Sequence, residues 1–113
     1  MKKFKENSEH YFWGEMCEGW RMLDTDALNV TREMIPAGKS EKMHLHKIAR
    51  QFFYIISGSA AFEINNETFT VNKDEGIEIE PGKEHRISNR GNVPLEFVVI
   101  SQPSTKGDRY NLT

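Results

Sequence analysis

Hydrophobic and polar residues alternate along much of this chain, in short bursts separated by turn-forming residues. In Gly76-Ile77-Glu78-Ile79-Glu80, the isoleucines fall on one side of an extended backbone and the glutamates on the other. One face of that strand is therefore buried. Comparable segments, mostly about five to eight residues long and rich in Ile, Val, Phe, Tyr and Thr, run over 51–57, 60–64, 68–71, 76–80, 86–88 and 95–101. Residues 20–23 and 28–35 read as two further strands, and Asp24-Thr25-Asp26-Ala27 between them as a possible short helical turn. Pro36-Ala37-Gly38, Ser57-Gly58-Ser59, Asn72-Lys73-Asp74, Pro81-Gly82 and Asn89-Arg90-Gly91-Asn92 punctuate the series, and Asn65-Asn66 suits the tight turn of a β-hairpin. Short strands with turns this frequent predict an all-β sandwich or barrel, whose closure removes exposed edges.

With 113 residues there is room for one domain, and 37% hydrophobic residues suffice to close one core. A formal charge of -2 with both signs scattered leaves no basic stripe, so neither nucleic acid nor an anionic membrane surface is an expected partner. The longest apolar run, Phe52 to Ile56, is far shorter than the roughly 20 residues of a spanning helix. Met1-Lys2-Lys3 leads into a polar stretch rather than an apolar signal segment, and the chain is expected in the cytoplasm. The single Cys17 excludes an internal disulfide.

The candidate chemistry lies in the histidines. In His44-Leu45-His46 the two imidazoles are one residue apart, so a strand presents them on one side. Gln51 follows a short bend and opens the next strand; His85 follows Pro81-Gly82-Lys83-Glu84 and opens another. Together the four form a candidate metal site. If Gln51 points inward, Phe53 and Ile55 do as well, and Ile87 follows His85, so these three, with Phe97 of the last strand, are the expected apolar lining. His10, in the polar N-terminal arm, is read as solvated.

This spacing resembles the cupin superfamily. Gly38, His44, His46, Gln51 and Gly58 satisfy every spacing of its first motif, with Gln in place of Glu. Asp74, Glu80, Gly82, His85 and Asn89 follow its second, with Asp74 for the leading Gly and Glu80 for Pro. The resemblance implies a double-stranded β-helix (jelly-roll) barrel of the RmlC-like, single-domain (monocupin) kind. The motifs fall within 30–101, residues 1–27 form an N-terminal arm and edge strands, and 102–113 form a polar tail that frays or lies across a neighbouring surface. It also implies one divalent transition metal, of which Zn, Mn, Fe and Ni are the leading candidates, on His44, His46, Gln51 and His85.

Replacing Glu by Gln keeps the full charge of the metal and favours polarising a carbonyl or stabilising an enolate. In the quercetinase-type dioxygenases of that superfamily the Glu also accepts the substrate proton, which Gln cannot do. Three readings follow: a non-redox isomerase, lyase or cyclase acting on a small oxygenated metabolite such as a sugar acid; a dioxygenase using Fe, Ni or Cu; and a non-catalytic binding or sensor module. A proton-transfer enzyme needs a base, for which Glu80, Tyr54, Glu33 and Glu63 lie on neighbouring strands. Glu80 is favoured because it directly precedes the His85 turn, and Tyr54 is the second catalytic candidate. The aromatic N-terminal segment Tyr11-Phe12-Trp13, with Trp20, suggests pairing into a homodimer.

Overall fold

Eleven strands and one 3-10 turn (Lys5–Asn7) make up the computed structural model, which describes residues 1–112. The strands are β1 (Glu9–Trp13), β2 (Cys17–Asp24), β3 (Asn29–Ile35), β4 (His44–Leu45), β5 (Arg50–Ser57), β6 (Ser59–Ile64), β7 (Glu67–Asn72), β8 (Gly76–Ile79), β9 (His85–Ser88), β10 (Leu95–Gln102) and β11 (Tyr110–Asn111). They form two antiparallel sheets, six strands in the order β1-β2-β3-β10-β5-β8 and five in the order β11-β4-β9-β6-β7. This is the jelly-roll architecture. The possible helical turn at 24–27 is instead a bend closed by Thr25, whose N–H and Oγ both donate to the Leu28 carbonyl. Asn65 and Asn66 take left-handed φ values of 47° and 70°, so the β6–β7 hairpin turns where the paired asparagines predict. No helix among the described residues is long and apolar enough to cross a membrane.

The inward positions of the six-stranded sheet change character along the barrel, and this gradient creates the site. On β3 they run Ile35, Glu33, Thr31, Asn29; on β10 Leu95, Phe97, Val99, Ser101; on β5 Ile55, Phe53, Gln51. At one end Ile35, Ile55, Leu95 and Phe97 pack with Phe62, Val71 and Ile87 of the facing sheet into a closed core. Burying such side chains stabilises the fold by about 1.5–3 kcal/mol each. At the other end the same strands present polar groups, and the barrel opens into a cavity of about 500 Å³. Such a space suits a small molecule.

The turns of the two motifs meet at the packed end. The Gly38 N–H donates to the Asn89 carbonyl, the Asn89 N–H donates to the Lys39 carbonyl, and the buried Asn89 amide donates to the carbonyls of Ile35 and Val93. Asp74, where the motif has glycine, sits at φ 67°, a conformation Asp tolerates better than most residues.

Candidate metal site and cavity

The strand pairing brings together histidines 39 and more residues apart in the chain: His44 of β4 lies directly opposite His85 of β9. His46 stands just beyond β4, where its carbonyl accepts the Gly82 N–H at 2.7 Å, tying the first motif to the turn of the second. The ring centroids of His44, His46 and His85 are 4.3 to 5.6 Å apart, and one nitrogen from each can be chosen so that all lie within 4.8 Å of one another. All three rings are buried.

Each ring is oriented in the same way. Nδ1 of His44 faces the Lys42 carbonyl, that of His46 the Asp108 carbonyl and that of His85 the Lys83 carbonyl, all at 2.8 Å. A carbonyl only accepts, so each Nδ1 carries the proton and each Nε2 keeps its lone pair. Burial lowers the pKa of His44 to about 3, reinforced by His85, and that of His85 to about 4; burial lowers that of His46 too. The imidazoles are therefore neutral and able to ligate near neutral pH.

Gln51 is the fourth candidate. Its Nε2 donates to Ser101 Oγ at 3.1 Å, leaving the amide oxygen for the interior. Gln51 Oε1 and His85 Nε2 are both buried without a hydrogen-bond partner among the described residues. Each such orphan costs about 1–3 kcal/mol, a penalty that a bound cation would relieve. The residues therefore fit a divalent metal, which His44, His46, His85 and Gln51 would hold. Bound there, it would act as a Lewis acid toward a substrate oxygen.

Of the other residues singled out in the sequence, Phe53 lines the cavity, together with His44, His46 and Gln51. Ile55, Ile87 and Phe97 also point inward, but they lie in the packed half of the barrel and do not line the cavity. Inward alternation was legible; which inward positions meet empty space was not. Tyr54 and Glu80 are not brought to the histidines. Tyr54 follows inward-facing Phe53 and is therefore exposed on the outer face, and exposed Glu80 borders a separate shallow groove with Ile77, Phe69 and Lys83. Glu63 likewise faces outward to Arg86.

Of the four candidate bases Glu33 alone lines the cavity, whose wall also holds Tyr11, Trp13, Glu41, Arg21 and Arg109. Burial pushes Glu33 up to about 7 and Glu41 up to about 8, against the opposing effects of Tyr11, Arg109 and Arg21 on the first and chiefly of Arg109 on the second. Glu41 Oε2 accepts the Ile87 N–H at 3.0 Å, and Oε1 lies 3.6 Å from Arg109. The signal for Glu33 was present in the sequence, since it stands two residues before buried Ile35. Glu41 and Arg109 lie outside the predicted strands and carried no such signal.

The C-terminal segment is part of the site. Asp108 accepts the backbone N–H groups of Lys47, Ile48 and Ala49 at 2.9 to 3.0 Å, clamping the β4–β5 turn, while its carbonyl orients His46. β11 then pairs with β4, so the tail lies across a neighbouring surface; Thr113 is outside the described residues.

Residues 31–101 match the family described as Cupin domain, and the chain belongs to that family. It is 33% identical over 75 residues to an uncharacterized protein of Methanocaldococcus jannaschii, covering 66% of this chain and 60% of that protein. It is 37% identical over 71 residues to the tetracenomycin polyketide synthase protein TcmJ of Streptomyces glaucescens, covering 63% of this chain and 47% of that one. The matched segments thus span about half to three fifths of these relatives. Among solved structures, the Streptomyces protein PAC13, determined with uridine, superposes with a TM-score of 0.83 over 99% of this chain and 90% of its own, at 18% identity. That likeness is one of fold.

Proposed function

We propose that this protein is a metal-dependent enzyme that carries out non-redox chemistry, as an isomerase, lyase or cyclase, on a small oxygenated metabolite such as a sugar acid. The observation that carries this reading is the paired orphaning of Gln51 Oε1 and His85 Nε2 beside two further neutral imidazoles, where Gln51, His44 and His46 line a cavity of about 500 Å³. Because Gln51 is an amide, the ligand set adds no negative charge, which favours polarisation of a substrate oxygen. The same amide cannot accept a proton, which weighs against a dioxygenase of the quercetinase type. In this reading the chain's own residues exclude bulk water with Phe53, Trp13 and Val99 and orient the ligand through Arg109 and Glu41.

Elemental analysis of protein purified without chelator, beside His44→Ala, His46→Ala and His85→Ala, tests the reading. About one metal per chain, lost in all three variants, is expected. No metal even after incubation with Zn, Mn, Fe and Ni would overturn it and make the cavity a binding pocket.

We also propose that two copies pair through the outer face of the six-stranded sheet, where Phe12, Phe52, Tyr54 and Ile100 are exposed. Tyr11 and Trp13 are not available for this, since they face the cavity. Light scattering at micromolar concentration is expected to give a dimer mass; a monomer mass would overturn the proposal.

A further inference from the structure

We propose that Glu33, held by Tyr11 across Gly19, is the catalytic residue that takes a proton from the substrate in the cavity and returns it. The assignment rests on the enzyme reading above and supplies the base that Glu80 and Tyr54, on the outside of the barrel, do not.

Three adjacent strands build the device. Tyr11 of β1 is paired with Gly19 of β2, and Gly19 is paired with Glu33 of β3. Gly19 has no side chain, so the Tyr11 ring lies across it and places its hydroxyl 2.5 Å from Glu33 Oε2, to which it donates. A Cβ at Gly19 would fall 2.2 Å from Tyr11 Cζ and 2.4 Å from its oxygen, which no real contact allows. The Arg21 guanidinium lies over the ring, 4.1 Å from its centroid. Glu33 Oε1 accepts no hydrogen bond among the described residues and is left to the cavity, which Tyr11, Glu33 and Arg21 line together with His44, His46 and Gln51.

The surroundings suit proton transfer. Tyr11 faces Glu33 from β1, Arg21 and Cys17 from β2, apolar Phe97 from β10, and Glu41 and Arg109 from across the cavity. Burial among these groups pushes the carboxyl up to about 7, where both protonation states are populated near neutrality. The step balances within the substrate. A C–H or O–H bond beside the polarised oxygen breaks, its proton forms an O–H bond at Glu33 Oε1, and its electron pair stays on the substrate. The proton then returns to a neighbouring atom, with no oxidant or reductant required. Tyr11 is a positioning residue, stabilising the ionised carboxylate.

Two measurements test the assignment. In metal-free protein with 13C-labelled glutamate carboxyls, a resonance that titrates near neutrality should vanish in Glu33→Gln and move to higher pH in Tyr11→Phe and in Gly19→Ala. The shift is upward because a donated O–H favours the charged form. Titration of Glu33 near the ordinary 4.5 would overturn the proposal. In zinc-loaded protein, calorimetric binding of acetohydroxamate in buffers of different ionisation enthalpy counts released protons. At about pH 8, where Glu33 is ionised, release should rise from near zero in the wild type to about one per chain in Glu33→Gln, with zinc content unchanged. Equal release from both proteins, or binding to neither, would overturn it. Failure of the wild type to hold zinc would overturn the metal reading itself, and the assignment with it.

Discussion

Gln51 and Ser101 face each other across β5 and β10, and the Gln51 amide nitrogen donates to the Ser101 hydroxyl at 3.1 Å. That bond ties up the amide nitrogen and leaves the oxygen without a partner. Without it, the nitrogen could turn inward and present donors where an acceptor is needed. Ser101→Ala should therefore weaken metal affinity about tenfold or more without unfolding the barrel, as measured by chelator competition. Gln51→Glu should tighten metal binding, because a carboxylate attracts the cation more strongly than an amide does.

Asp108 holds the turn that carries β4 into β5. Its carboxylate accepts three backbone N–H groups and is itself buried, so Asp108→Ala leaves those donors without partners. The expected cost is about 3 kcal/mol, read as a lower urea midpoint. Metal affinity should fall with it, since the Asp108 carbonyl also orients His46.

The metal-free protein should be most stable near about pH 6.5. Unfolded, the three site histidines take up protons near 6.5; folded, they resist protonation, His44 until about 3 and His85 until about 4. Glu33 and Glu41 act in the opposite sense, keeping protons to about 7 and about 8 that the unfolded chain loses near 4.5. Between about 4.5 and 6.5 the three histidines outweigh the two glutamates, so stability still rises with pH, less steeply than below 4.5. Above about 6.5 only the glutamates count: the folded state binds more protons, and stability falls as pH rises, by at most about 1.4 kcal/mol per unit for each group. Below about 4.5 the histidines dominate and stability falls as pH falls. Denaturant midpoints across pH 4 to 9 check this, and Glu41→Gln should flatten the alkaline limb.

Two motif glycines should differ in their tolerance of alanine. Gly38 (φ 77°) has nothing within 4 Å of an added Cβ, so only the backbone strain of about 1–2 kcal/mol applies. At Gly58 (φ 86°) the Cβ would lie 2.9 Å from the Pro94 carbonyl oxygen and 3.1 Å from Leu95 Cα. Gly58→Ala should cost roughly 1–3 kcal/mol more than Gly38→Ala in urea denaturation.

Much of this protein is legible in its sequence because side-chain alternation on a strand is a local property. The period of two in Gln51-Phe52-Phe53-Tyr54-Ile55 already says that Gln51, Phe53 and Ile55 share a side, and the structure buries these three and exposes Phe52 and Tyr54. The paired asparagines at 65 and 66, and the spacing of His44, His46, Gln51 and His85, are local in the same sense. Short-range stereochemistry specifies each piece before the chain has folded.

What only the tertiary structure decided is which inward positions meet packing and which meet space. Ile55 and Phe97 were as eligible to line a cavity as Phe53, but the end of the barrel where they lie is filled by Phe62, Val71 and Ile87 from the other sheet. Glu33 was one of four candidate bases, ranked behind Glu80 and Tyr54, until three-strand registry set it beside Tyr11 over a glycine. Asp108 and Arg109, in a tail of polar residues, entered the site only once β11 had docked on β4. These outcomes depend on contacts between residues far apart in the chain, and such contacts exist only when the barrel closes.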